Sequence, residues 1–180
     1  LEQIIVHIIH IVGPIGAGKT MFIRKYLNNY PVFDIKGIYE RYHISPTELY
    51  ETGHYEQFSD ILTHHLEKLI FHMEKLAMDV LVVESSGINR ILNQIVNRHP
   101  HFLIWIHSDL DRFANNRPYY SPELNKRIRN AFNHRMVLAD VVFDWTSKSY
   151  IKEPNSDLQA LLTKNCTQSS ADSLECFTMV

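Results

Sequence analysis

Eight contiguous residues constrain this chain more than any other feature. Gly13-Pro14-Ile15-Gly16-Ala17-Gly18-Lys19-Thr20 matches the pattern G-x-x-x-x-G-K-[ST]. An apolar run, Ile4 to Val12, leads into it, and a helix-like stretch, Gly18 to Asn29, leads out. A strand before and a helix after are the flanks that the pattern needs to act as a phosphate cradle. Glycines let successive backbone N–H groups turn towards phosphate oxygens. The helix N-terminus adds about half a positive charge. Gly13, Ile15, Gly16, Ala17, Gly18, Lys19, Thr20 and Met21 are therefore the expected contacts to a bound nucleotide. Lys19 is expected on its β- and γ-phosphates, and Thr20 on Mg²⁺. The apolar run lacks a positively charged n-region and a cleavage site, so it reads as a buried strand rather than a leader.

Apolar runs and helix-like segments go on alternating along the chain, with no internal repeat. Four further apolar runs follow: Val32–Ile35, Val80–Val83, Phe102–Ile106 and Val141–Phe143. They are short, rich in Val and Ile, and separated by helix-like segments. Strands of a parallel sheet covered on both faces read this way. The expected helices are Gly18–Asn29, Glu56–Met78 with apolar residues at helical spacing, Asn89–Arg98, and one opening at Ser121-Pro122-Glu123. A last helix is expected over Asn155–Leu162. The fold class is therefore α/β, a three-layer αβα sandwich in a single domain over residues 1–162. Residues 163–180, rich in Ser, Thr and Asn, read as a loose tail.

Composition supports this and excludes other classes. Of 180 residues 45% are hydrophobic and 21% charged, with a net charge of −2, so no basic face for nucleic acid or an acidic membrane stands out. No apolar stretch reaches the ~18–20 residues that span a bilayer. The two cysteines, Cys166 and Cys176, are too few and too peripheral for a disulfide framework or a zinc site. A reducing, cytoplasmic setting is the expectation. Histidines number eleven, but His7 and His10 lie on opposite faces of one strand, and no zinc-type spacing occurs. Mg²⁺ with ATP is the only metal expected.

Carboxylates and cations around the cradle give the chemistry. Asp34 ends the second apolar run and Glu84 the third, and strand ends are where ligands of open α/β sheets bind. Asp34 is the candidate general base, and Glu84 a second base or a Mg²⁺ ligand, directly or through water, beside Thr20. From Asp111 to Arg135 six basic residues stand against two acidic ones. Arg112 and Arg117 are candidates to close over a transferring phosphoryl, in a lid at about 112–127. Arg127 and Arg129 point about 200° apart on a helix, so one of them at most would face the site. Lys36, Tyr39, Arg41, Tyr55 and Arg90 are weaker candidates for an acceptor pocket.

The stretch Arg112…Arg117…Ser121-Pro122-Glu123…Arg127-Ile128…Arg135…Ala139-Asp140-Val141-Val142-Phe143-Asp144 resembles the lid-to-last-strand segment of dephospho-CoA kinases and related nucleotide kinases. With the cradle and the strand ending in Glu84, the resemblance touches most of residues 4–150 in short patches. It implies a five-stranded parallel sheet in the order 2-3-1-4-5 with a helical lid. It also implies an ATP-dependent kinase of a nucleotide, nucleoside or coenzyme precursor. The chain departs from that family at Asp34-Ile35-Lys36, where the family has Asp-x-Asp, and lacks its Pro-Leu-Leu run before Glu84. Deoxynucleoside kinases carry Glu-Arg-Ser near the position of Glu84-Ser85-Ser86. The adenine is expected beside residues after Asp144, with Trp145 a candidate contact.

Two other functions fit parts of the pattern. Glu84-Ser85-Ser86-Gly87 resembles the D-x-x-G switch of GTPases, which would make the chain a regulatory nucleotide-binding module. No N-K-x-D follows the fourth run, which continues His107-Ser108-Asp109-Leu110. A polynucleotide kinase would want a basic groove that the near-neutral charge does not suggest.

Overall fold

The computed structural model describes residues 5–45, 48, 52, 55–108 and 121–163. Its elements run β1 His7–Val12, α1 Lys19–Tyr26, β2 Val32–Asp34, α2 Ile35–Arg41, α3 Tyr55–Lys75, β3 Val80–Ser85, α4 Arg90–Val96, β4 His101–His107, α5 Pro122–Leu138, β5 Val141–Asp144, β6 Ser149–Lys152 and α6 Ser156–Thr163.

The central strands β1, β3, β4 and β5 are runs of Val, Ile and other apolar residues buried on both faces, which is why β1 shows no alternation of burial along Ile8–Val12. The strands hydrogen-bond in the order β2-β3-β1-β4-β5-β6. The first five are parallel and take the expected order. The sheet differs from the expectation in having a sixth strand. β6 pairs antiparallel with β5 after a four-residue turn. It carries no apolar run to signal it, since Ser149, Ile151 and Lys152 are exposed. A short α2, starting at Ile35, is also not among the expected helices.

Helices cover both faces. On one face Ile8, Leu81 and Val83 pack against Phe58, Leu62, Leu66, Ile70 and Met73 of α3 and Leu92 and Ile95 of α4. Beside them Val12, Leu103 and Trp105 meet Ile128 and Phe132 of α5. On the other face Ile9, Ile11, Val82, Ile104, Ile106 and Phe143 pack against Phe22 and Ile23 of α1 and Leu158 and Leu162 of α6. Burying a side chain of this size contributes roughly 1.5–3 kcal/mol, so these three clusters hold the sheet rigid beneath its C-terminal edge. No helix among the described residues is long and apolar enough to cross a membrane.

Candidate active site

The loop between β1 and α1 is held by close backbone approach. Gly13 has φ +151°, and a Cβ there would lie 2.6 Å from the Ile106 carbonyl oxygen of β4. No other residue fits that contact. Lys19 folds back over the loop: its ammonium donates to the carbonyl oxygens of Gly13 at 3.0 Å and Pro14 at 2.9 Å. Burial lowers the pKa of Lys19, while the charges of Glu84 and Asp34 oppose that shift. Ile15, Gly16 and Met21 are exposed, and Ala17 is buried beneath the loop.

Thr20, in the first turn of α1, donates its hydroxyl to Glu84 Oε1 at 2.9 Å. The two are 64 residues apart in sequence. Burial pushes the Glu84 carboxyl up, the Thr20 hydrogen bond and the Lys19 charge pull it down, and Asp34 pushes it up again. Asp34 stands opposite Glu84 in the β2–β3 register. Lys19, Thr20, Asp34 and Glu84 therefore form one electrostatically coupled group at the C-terminal edge of the sheet. A hydroxyl and a carboxylate side by side, next to glycine-rich backbone, are the oxygen donors that Mg²⁺ with a polyphosphate requires.

Asp34 also has a structural task. Its Oδ1 accepts from the Lys36 N–H at 2.8 Å, which makes it the N-cap of α2. The described weaker pocket candidates are exposed or engaged elsewhere. Lys36 pairs with Glu40 at 3.5 Å on the exposed face of α2. Tyr39 stacks on Phe58 with ring centroids 4.6 Å apart, as a packing residue. Arg41 and Arg90 are exposed. The side chain of Tyr55, and all of Arg112, Arg117 and the segment 115–120, lie outside the described residues. Arg127 is exposed and Arg129 half-buried.

Three features escaped the sequence. His10 is 1% exposed and its Nε2 lies 2.8 Å from Ser85 Oγ, which also accepts from the Gly87 N–H at 3.0 Å. Arg135 of α5 donates Nε–H to the Gly87 carbonyl at 2.7 Å, and Asn93 donates to the same oxygen at 2.9 Å. These bonds fix the turn that follows Glu84. Trp145 rests on Gly18 rather than standing free beside the site. Partners that lie far apart in sequence, or that are backbone carbonyls, leave no local signal.

No family model and no curated protein sequence matches the chain. Solved structures do. A shikimate kinase from Bacteroides thetaiotaomicron aligns with a TM-score of 0.51 at 18% identity, over 89% of this chain and 95% of that one. A shikimate kinase from Acinetobacter baumannii in complex with shikimate gives 0.49 at 15%, over 94% and 97%. A chain of the Pnkp1/Rnl/Hen1 RNA repair complex gives 0.50 at 13%, over 76% and 47%. At these identities the likeness is one of fold. The chain has the mixed, mostly parallel α/β fold of the P-loop kinases.

Proposed function

We propose that this chain is an ATP-dependent phosphotransferase that moves the γ-phosphoryl of Mg-ATP to a small acceptor. One observation carries the reading: Thr20 and Glu84 joined at 2.9 Å beside Lys19, with Asp34 in register. In this reading the N–H groups from Gly13 to Thr20 hold the donor phosphates. The Lys19 ammonium leaves the two loop carbonyls for phosphate oxygens. Thr20 and Glu84 hold Mg²⁺, which neutralises charge on the phosphates when bound. Asp34 takes the proton of the acceptor hydroxyl, with Glu84 as the second candidate. Arg112 and Arg117 are proposed as closing cations on the sequence pattern alone, within a single domain and a cytoplasmic setting.

The acceptor class proposed is a nucleotide, nucleoside or coenzyme precursor; the fold neighbours add shikimate to the panel. ADP release would be read with dephospho-CoA, nucleosides, nucleoside monophosphates, shikimate and a 5′-hydroxyl oligonucleotide. Lys19→Ala is expected to lower acceptor-dependent turnover about 10²-fold or more. Asp34→Asn is expected to lower it about 10²–10⁴-fold. Asn caps a helix as well as Asp does, so that variant removes the base and spares α2. A second reading, a nucleotide-binding module without kinase activity, is favoured by the engagement of Asp34 as a cap. ATP binding without acceptor-dependent ADP, or turnover indifferent to Asp34, would move the assignment there.

A further inference from the structure

Trp145 follows β5 directly and lies against the N-cap of α1, 127 residues earlier in the chain. Its indole Nε1–H donates to the Gly18 carbonyl oxygen at 3.1 Å. The same oxygen accepts the first helical bond of α1, from Phe22 N–H at 2.9 Å. Gly18 sits at φ +94°, and a Cβ there would lie 2.5 Å from Trp145 Nε1 and 2.6 Å from Cδ1. The glycine is required both by the left-handed backbone and by the ring that covers it.

The indole is itself held. It meets Phe143 edge-on, with centroids 5.0 Å apart at 82°, and the Lys25 ammonium stands 5.8 Å from its centroid. Asp144 fixes the turn that carries it: the carboxylate accepts from Thr146 N–H at 2.9 Å, Ser147 N–H at 3.3 Å and Ser147 Oγ–H at 3.0 Å. In a trans peptide the carbonyl and the next N–H point in opposite directions. A carbonyl of Gly18 tied to the indole therefore turns the Lys19 N–H away from it.

We propose that Trp145 is a positioning residue for phosphate binding. Its N–H sets the plane of the Gly18–Lys19 peptide, and that plane presents the Lys19 amide to a bound phosphate. The inference rests on the reading of the loop as a phosphate cradle. It assigns Trp145 to the phosphate end of the donor rather than to the base.

Calorimetric titrations with two probes separate these roles: Mg-ATP, and Mg-tripolyphosphate, which has no base. Trp145→Phe keeps a ring and loses the N–H. It is expected to weaken both probes by the same factor, roughly three- to tenfold. The intrinsic emission of the wild type is expected to change on adding tripolyphosphate, because Trp145 touches the loop. Trp105, buried in β4 at 1% exposure, supplies the only tryptophan emission left in Trp145→Phe, and that is expected not to respond. Weakening of ATP alone would place the indole on the base and overturn the proposal. So would unchanged affinity for both probes in a folded variant. Should the variant not fold, unchanged wild-type emission at saturating tripolyphosphate would overturn it equally. A wild type that binds neither probe would refute the phosphate cradle itself, and the proposal with it.

Discussion

His10 is a titratable side chain placed where water does not reach. Burial first, then the positive charge of Arg135, then His101, lower its pKa from 6.5 to about 3. Burial disfavours the charged ring, so a neutral imidazole is what stands beside Ser85 Oγ. In the unfolded chain the same ring takes up a proton near pH 6.5. Between the two values the unfolded state binds more protons than the folded one. The contribution of His10 is therefore intact above about pH 6.5 and is lost as pH falls towards 3, by on the order of 5 kcal/mol at the limit. Glu84 works in the opposite direction, since its raised pKa makes folding favour the protonated carboxyl. Urea unfolding midpoints at pH 7, 6, 5 and 4 should fall steeply in the wild type and less steeply in His10→Gln. Parallel curves for the two would show that burial of this ring does not govern the acid limb.

Helix ends carry the next set of consequences. Asp34→Ala removes the cap of α2 and is expected to cost about 1 kcal/mol, while Asp34→Asn should cost little. The comparison is made on thermal midpoints, before any assay. Two residues past the end of α3, Ala77 sits at φ +57° while Met78 N–H bonds back to the Met73 carbonyl at 3.0 Å. Glycine suits that left-handed position better, so Ala77→Gly is expected to stabilise by about 1 kcal/mol; a lower midpoint would contradict this. The long elements were legible in sequence. α3 shows its helical spacing over five turns, and the strands show runs of Val and Ile. α2 was not: it has seven residues, with Gly37 among them, and its start depends on a single cap. The residue that caps it is a short acid at a strand end. That is also what a general base looks like, so sequence alone reads the chemistry and misses the cap.

Across the whole molecule the same division holds between near and far. The phosphate loop was legible because its eight residues are contiguous and their chemistry is backbone geometry. Asp34 and Glu84 could be placed at one edge because strand ends of a parallel sheet share an edge, and the register puts them opposite one another. The contact of Trp145 with Gly18, and that of Arg135 with the Gly87 carbonyl, depend on how helices settle over the sheet. The strand order has a further consequence, for synthesis. β1 is made first of the six described strands and lies between β3 and β4; His7 pairs with Val80, and Ile8 with His101. At translation rates of about 5–20 residues per second, its apolar length waits roughly 4–20 s for those neighbours. A nascent chain halted before Val80 therefore displays a complete phosphate loop on a strand with nothing beside it, a target for chaperones rather than for nucleotide. One halted after Asp144 has every parallel strand it needs.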